Sequence, residues 1–380
     1  MISGDVLKYR KGLLIPKRYE TRLTASSPFP LTPPSGGKPI SIAVQNCYGR
    51  SRFEGYLGNV GLEYIAVDWY NIPVTEWEAD TMETYPNGVG YVDGVYSAKE
   101  DMRVPVADLG FLLSDMTYDA VHVHNGNFFR LEDHLDRWER SIEKRRFTTL
   151  GHDRDGVCEI VTECVRRAEL RAAMVYMVAT RGEATDGLKD LRTCRNRLLA
   201  WAVPYYGVIA EDKMEDGIDI IVSDVLRTPP ESIDPTVKNF ARIDFSDALL
   251  QAYDKGAEHA VLLDRDGNVT EGRGWNIFAL HGGALVSPDS GVLEGISRRT
   301  VIELCRNTNI KAELGQLKAD DLRDADEVFM TSTAGGIMPV RKIDDRVIGT
   351  GTRGPVTTRL TDMYWELHED PDYLTPIDYH

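Results

Sequence analysis

Apolar positions recur along this chain with two periods. Leu131, Leu135, Trp138 and Ile142 fall at spacings of four, three and four, one stripe of an amphipathic helix. Val157, Ile160, Val161, Cys164 and Val165 share a second helical face. Phe245, Leu249 and Ala252 form a third, ended by Gly256, and residues 354–367 a last amphipathic helix. A helix is also expected over 297–306, with Ser297 as N-cap, since a serine hydroxyl accepts from free N–H groups of the first turn. Residues 89–130 read as strands, with turns at Asp93-Gly94 and Asn125-Gly126 and alternation through Ala120–His124. Val175–Ala179 and Leu198–Val203 read as buried strands, followed by Ile218–Val222. Ala260–Asp264 turns at Asp266-Gly267, Ile277–Leu280 turns at Gly282-Gly283 into Ala284–Val286, and Glu327–Thr331 is a further strand.

Less regular stretches divide these elements. Residues 1–45 are rich in Pro, Ser, Gly and basic residues, and Phe29–Gly37 is incompatible with regular helix or sheet. They read as an extended arm docking between subunits or as a disordered tail. Arg181–Arg197 reads as a polar loop of the kind that covers active sites. The expected organisation is an arm over 1–45, a small α/β domain over 46–206, a linker over 207–217 and a larger domain over 218–380.

The chain has 380 residues and a net charge of −16. Nucleic acid and anionic membranes want a basic footprint, so neither is an expected partner, and a bound phosphate needs a local site. No apolar run approaches membrane-spanning length, and the first five residues lack the pattern of a signal peptide, so a cytoplasmic location is expected. The five cysteines are scattered with no CxxC, which favours free thiols over a disulfide framework or zinc site. His122 and His124 share a strand face without a close third ligand; they read as strand-surface residues, and no metal is expected.

Chemistry concentrates around Lys238, set in the apolar frame Pro235-Thr236-Val237-Lys238-Asn239-Phe240. A lone lysine is usually a solvated charge. This one is followed by Glu271 in Thr270-Glu271-Gly272, where glycine admits close approach, or where the glutamate is simply an exposed hairpin residue. Arg137 offers a bidentate anion contact. Gly295-Ile296-Ser297 opens a helix, whose free N–H groups favour an anion. Ser332 and Thr333 add hydroxyls. An amine nucleophile, an anion clamp and a carboxylate are the parts that hold pyridoxal phosphate and carry out amino-group chemistry with it.

In order and spacing, several stretches resemble the fold type IV, branched-chain aminotransferase-like pyridoxal-phosphate enzymes, and among them most nearly the (R)-selective amine transaminases. They are Asp108–Phe111 with Ser114–Tyr118, Phe129–Arg137, Ile233–Asn239, Thr270–Gly272, Leu293–Arg298, Asp324–Val328, Thr333–Gly336 and Tyr364–Leu367. The resemblance covers roughly residues 60–380. It implies a mixed α/β and α+β fold of two domains, the larger with a pseudo-barrel of strands, and a homodimer. It implies Lys238 as the Schiff-base and proton-shuttling lysine and Glu271 at the pyridine nitrogen. Arg137, Ile296, Ser297, Ser332 and Thr333 would surround the phosphate, and Tyr118 would line the substrate pocket. The expected reaction is ping-pong transfer of an amino group from an (R)-amine or D-amino acid to a keto acid. A branched-chain L-amino acid aminotransferase, an aminodeoxychorismate lyase-like enzyme and a non-catalytic protein of the same fold are the rivals.

Two positions depart from the amine transaminases: Leu113 stands in the stretch where they usually carry histidine, and Arg242 where they carry an aromatic residue. Arg242 either binds a substrate carboxylate or pairs with Asp244. Lys189 and Arg192 lie in a loop resembling the segment from which relatives supply a carboxylate-binding arginine.

Overall fold

The computed structural model describes Tyr85, residues 87–186 and residues 190–380, with the backbone of four earlier strands. The chain divides into two compact units, Met1–Thr81 and Met82–His380. In the first, β1 (Lys8–Arg10) pairs antiparallel with β2 (Leu13–Ile15), and β3 (Lys38–Asn46) with β4 (Gly49–Leu57). Phe29–Gly37, Cys47 and Lys189 lie outside the described residues.

The second unit opens with a seven-stranded antiparallel sheet. Its strands are β5 (Val89–Val92), β6 (Val95–Ala98), β7 (Met116–His124), β8 (Asn127–Phe129), β9 (Ala173–Ala184) and β10 (Cys194–Pro204), joined by the C-terminal β20 (Leu374–Pro376) in the order β20-β8-β7-β9-β10-β5-β6. Helices α2 (Leu131–Arg145) and α3 (Arg154–Arg167) bury their apolar stripes in one core with this sheet, including Leu131, Leu135, Trp138, Val157, Val161 and Val165. The five apolar residues expected on the α3 face are all buried.

Three expectations here need correction. Residues 109–113 are a short helix, α1, not strand, because the Asp108 side chain accepts from Gly110 N at 2.8 Å and caps it. The polar loop is shorter than 181–197, since β9 runs on to Ala184 and β10 begins at Cys194. Its end arginines stay in the sheet because carboxylates receive them: Arg181 Nε donates to Asp115 at 2.7 Å, and Arg197 Nε to Asp93 at 2.9 Å. His122 is buried rather than on the strand surface, its Nε2 2.8 Å from His368 Nε2.

The second sheet is larger and mixed. It contains β11 (Ile218–Leu226), β12 (His259–Leu263), β13 (Val269–Gly272), β14 (Asn276–His281), β15 (Ala284–Pro288), β16 (Lys311–Gly315), β17 (Glu327–Ser332) and β18 (Gly336–Ile343), with β19 (Arg346–Val347) beside β18. Parallel pairing of β11 with both β12 and β18 joins the antiparallel β12–β13 pair to the antiparallel run β18-β17-β14-β15, β16 adds parallel to β15, and the sheet curls as a half-barrel around Ile220, Val261, Ile277, Met330 and Met338. After the short α4 (Lys213–Asp216), α5 (Ile243–Asp254) packs on β11 and β12 through Phe245, Ala248 and Ala252. On another face, α6 (Ile296–Arg306) and α8 (Pro355–Glu366) pack through Val301, Leu304, Leu360 and Tyr364, while α7 (Ala319–Arg323) precedes β17. Among the described residues no helix is long and apolar enough to cross a membrane.

Candidate active site

Lys238 follows β11 on an irregular segment that the first sheet holds in place. The Lys238 carbonyl accepts from Tyr118 N at 3.0 Å and from Thr117 Oγ1 at 2.6 Å, both on β7. The ammonium group lies 4.8 Å from the centre of the Tyr118 ring. Burial lowers the pKa of this amine; Tyr118 opposes the shift, and the Arg137 and Arg242 cations reinforce it. A larger share of the nucleophilic neutral amine follows. Burial acts to raise the Tyr118 phenol, but Lys238 and Arg242 outweigh it and hold the group below its usual value.

Glu271 lies on β13 and is 6% exposed, so it is not a surface hairpin residue. Its Oε2 accepts from Leu293 N at 2.9 Å and Asn276 Nδ2 at 3.3 Å, while Oε1 is 3.4 Å from Arg227 Nη2. Burial raises its pKa, and Arg227, the Leu293 N–H, Arg242 and Lys238 pull it back. Gly272 is required beside it: a Cβ there would stand 2.0 Å from the Trp275 ring.

Arg137 projects from α2 and is buried. It donates twice to Asp119, Nε to Oδ2 and Nη2 to Oδ1, both at 2.8 Å, and from Nη1 to the Glu294 carbonyl at 3.0 Å. His134 Nδ1 is also 2.8 Å from Asp119 Oδ1. Burial would raise the Asp119 carboxyl, but Arg137 and His134 hold it well below the usual carboxylate range.

Helix α6 begins one residue earlier than expected. Its N-cap is Gly295, without a side-chain cap, and Ser297 is the second helical residue, its hydroxyl 3.0 Å from that of Tyr364. Ser297 cannot be the cap because Gly295 occupies that position against Asn276, where a Cβ would stand 2.1 Å from Oδ1. The first N–H groups of α6 therefore keep their donor capacity at a buried end, where the helix dipole also favours negative charge.

These elements enclose a cavity of about 480 Å³. Lys238, Glu271, Arg137, Ile296, Ser297, Ser332, Thr333, Tyr118 and Arg242 all line it. Arg242 donates to the Tyr118 hydroxyl and lies 5.0 Å from the Phe245 ring centre; Asp244 instead takes Arg227 Nη1 at 2.7 Å. The alternative pairing of Arg242 with Asp244 is thus not formed, because Arg227 already occupies that carboxylate. Leu113 ends α1 at 58% exposure and is outside the cavity lining. Arg192 is also outside it, its side chain 89% exposed and paired with Asp190 at 2.6 Å.

Sequence reasoning passed over Asp119, Arg227, Asn276 and Thr331. Thr331, Arg227 and Asn276 line the cavity, and the Thr331 hydroxyl and Arg227 Nε are buried without a hydrogen-bond partner among the described residues. A charge within or just after an apolar strand, Asp119 inside β7 and Arg227 after β11, was the available signal; Asn276 and Thr331 carry none.

The amino-transferase class IV family matches this chain over residues 116–343, and the chain belongs to that family. A putative branched-chain-amino-acid aminotransferase of Methanocaldococcus jannaschii is 32% identical over 279 residues, 73% of this chain and 95% of that one. The branched-chain amino acid aminotransferase of Escherichia coli superimposes with a TM-score of 0.72 at 25% identity, over 77% of this chain and 100% of the other. The branched-chain aminotransferase of the thermophilic archaeon Thermoproteus uzoniensis, solved with norvaline, gives 0.70 at 26% identity and the same coverage. The class is thus an aminotransferase of fold type IV.

Proposed function

We propose that this chain is a pyridoxal 5'-phosphate-dependent aminotransferase that moves the amino group of an amino acid to a keto acid by a ping-pong mechanism. The observation that carries this reading is the sharing of one cavity by a lysine of lowered pKa, a buried glutamate and the uncapped start of α6. The donor set fits the cofactor. The α6 N–H groups, the Ser297, Ser332 and Thr333 hydroxyls and the Thr331 hydroxyl, unpartnered among the described residues, suit a phosphate, with Arg137 adding positive charge beside the start of α6. The cavity volume is in the range of small-molecule sites.

When bound, pyridoxal phosphate supplies a carbonyl carbon that takes up an amine and a ring that accepts the electron pair left by proton removal. Lys238 would anchor it and carry a proton on Nζ, a role its lowered pKa suits. Glu271 would meet the ring nitrogen with Oε1, the oxygen that has only the long contact to Arg227. Tyr118 holds the Lys238 segment by its backbone and presents its ring to the amine.

The presence of Arg242 in the cavity, bonded to Tyr118 rather than to Asp244, supports a substrate carboxylate. The names of the relatives support a branched-chain amino acid donor. The (R)-amine or D-amino acid reading is supported by the motif set from Asp108 to Gly336. A homodimer is part of the proposal, supported by apolar side chains left at the surface, among them Phe111, Leu113, Ile243 and Leu250.

A half-reaction panel tests this. Holoenzyme is mixed in turn with L-leucine, D-alanine and each enantiomer of 1-phenylethylamine while the cofactor absorbance is followed. Change with L-leucine supports the branched-chain reading, and change with D-alanine or the (R)-amine the other. A purified protein whose spectrum is unaltered by pyridoxal phosphate would refute both.

A further inference from the structure

The carboxylate of Glu271 does not stand alone at the cavity wall. We infer that Arg227, at the end of β11, is a positioning residue that keeps Glu271 ionised and directs its free oxygen into the cavity. This rests on the functional reading above, in which Glu271 must carry a negative charge opposite a ring nitrogen.

The geometry is a relay of three charged groups. Asp244 Oδ2 takes Arg227 Nη1 at 2.7 Å and the Thr228 N–H at 2.9 Å, and its Oδ1 takes the Phe245 N–H at 2.8 Å. The Arg227 guanidinium lies 4.3 Å from the Phe245 ring centre, so α5 fixes it on two sides. Its Nη2 then reaches Glu271 Oε1 at 3.4 Å. All of this is out of water: Arg227 is 8% exposed and Glu271 6%. Leu293 N and Asn276 Nδ2 occupy Oε2, so Oε1 is the oxygen left for a guest.

The long contact matters. A close pair would hold Oε1 tightly against the guanidinium and set Arg227 in competition with a ligand for that oxygen. Asp244 draws the guanidinium toward α5, so Arg227 supplies positive potential without closing on Oε1. Among the described residues, three other cations face Glu271: Lys238, Arg242 and, from α6, Arg298. Lys238 must be neutral to act as a nucleophile, Arg242 is engaged with Tyr118, and Arg298 is turned to Ser287 and the Pro288 carbonyl. Arg227 alone among these four contacts Glu271 by hydrogen bond.

The test is the titration of Glu271 in the cofactor-free full-length protein. Glutamate side chains are labelled with ¹³C at the carboxyl carbon, and the Glu271 signal is assigned by its loss in Glu271→Gln. In Arg227→Met with Asp244→Asn, which neutralises Asp244 together with its partner and leaves Glu271 as the group whose charge is tested, the midpoint should rise by ~1–3 units. Arg227→Lys keeps the charge and should hold the midpoint closer to that of the unaltered chain. On loading, the acid limb of pyridoxal phosphate affinity against pH should move up in the double variant. An unshifted Glu271 midpoint in the double variant would overturn the inference, as would a rise in Arg227→Lys as large as in the double variant. If the double variant does not fold, Arg227→Lys still decides through its own midpoint: a rise of a full unit or more despite the retained charge overturns the inference, and a smaller one supports it. Failure of the unaltered protein to bind pyridoxal phosphate would instead remove the functional reading; the cofactor-free titration would still report whether Arg227 controls Glu271.

Discussion

Asp119→Asn is the substitution whose effect the structure defines most fully. Asp119 is 0% exposed and receives four polar contacts: two from Arg137, one from His134 and one from the Ala120 N–H at 2.7 Å. The asparagine preserves shape but leaves the buried Arg137 guanidinium without its counter-charge. Breaking a buried pair by removing one partner costs ~3–5 kcal/mol. For a unit of this size, roughly 2 °C per kcal/mol gives a fall in melting temperature of about 6–10 °C. Adding Arg137→Met should restore most of that loss, because a neutral apolar pair has no uncompensated charge. The carboxyl is held below its unfolded value, so its contribution is present above about pH 4 and disappears as the pH falls below that. Melting curves of the four proteins of the cycle at pH 7 and near pH 3 measure both effects. If Asp119→Asn melts like the unaltered chain at pH 7, or melts above the double variant, Arg137 does not depend on Asp119 and the reasoning fails.

Other outcomes are expected at the cavity. Lys238→Ala should abolish transamination while leaving melting temperature within a few degrees; activity assays and thermal melts separate the two, and retained turnover would displace Lys238 from its role. In the unaltered chain, capture of pyridoxal phosphate should accelerate as pH rises, with a midpoint below the ~10.4 of an ordinary lysine, because burial favours the neutral amine. Arg242→Ala should raise the KM for keto acids by ~10- to 100-fold, the worth of a charged hydrogen bond, and affect plain amines less. Glu271→Gln should still bind pyridoxal phosphate but transaminate at least tenfold more slowly in single-turnover measurements; an unchanged rate would remove its electronic role.

The helices were legible because burial on one face imposes a period that survives without knowledge of the partner. The stripe of α2 and the face of α3 belong in this group, as do the hairpins with Asp-Gly and Gly-Gly turns. Strands such as β16, exposed along much of its length, and β18, interrupted by Pro339, have weak patterns and were not anticipated. Helix α1 was hidden because five residues are too few to show a helical period.

The cavity divides along the same line. Lys238, Glu271, Arg137 and the Gly295–Ser297 turn stand out in the sequence because their local frames are chemically specific. Which of them meet was decided by the tertiary structure: strand β7 clasps the Lys238 carbonyl, and β13, α6 and α2 deliver their groups to the same cavity. Leu113 and Arg192, singled out through the resemblance alone, lie outside the cavity lining. Arg242 and Arg227 could not be told apart beforehand, since neither has a local frame that names its carboxylate. Only folding placed Asp244 against Arg227, which left Arg242 to Tyr118. Charge pairing in a buried site depends on distances between segments remote in sequence, and no local pattern encodes those distances.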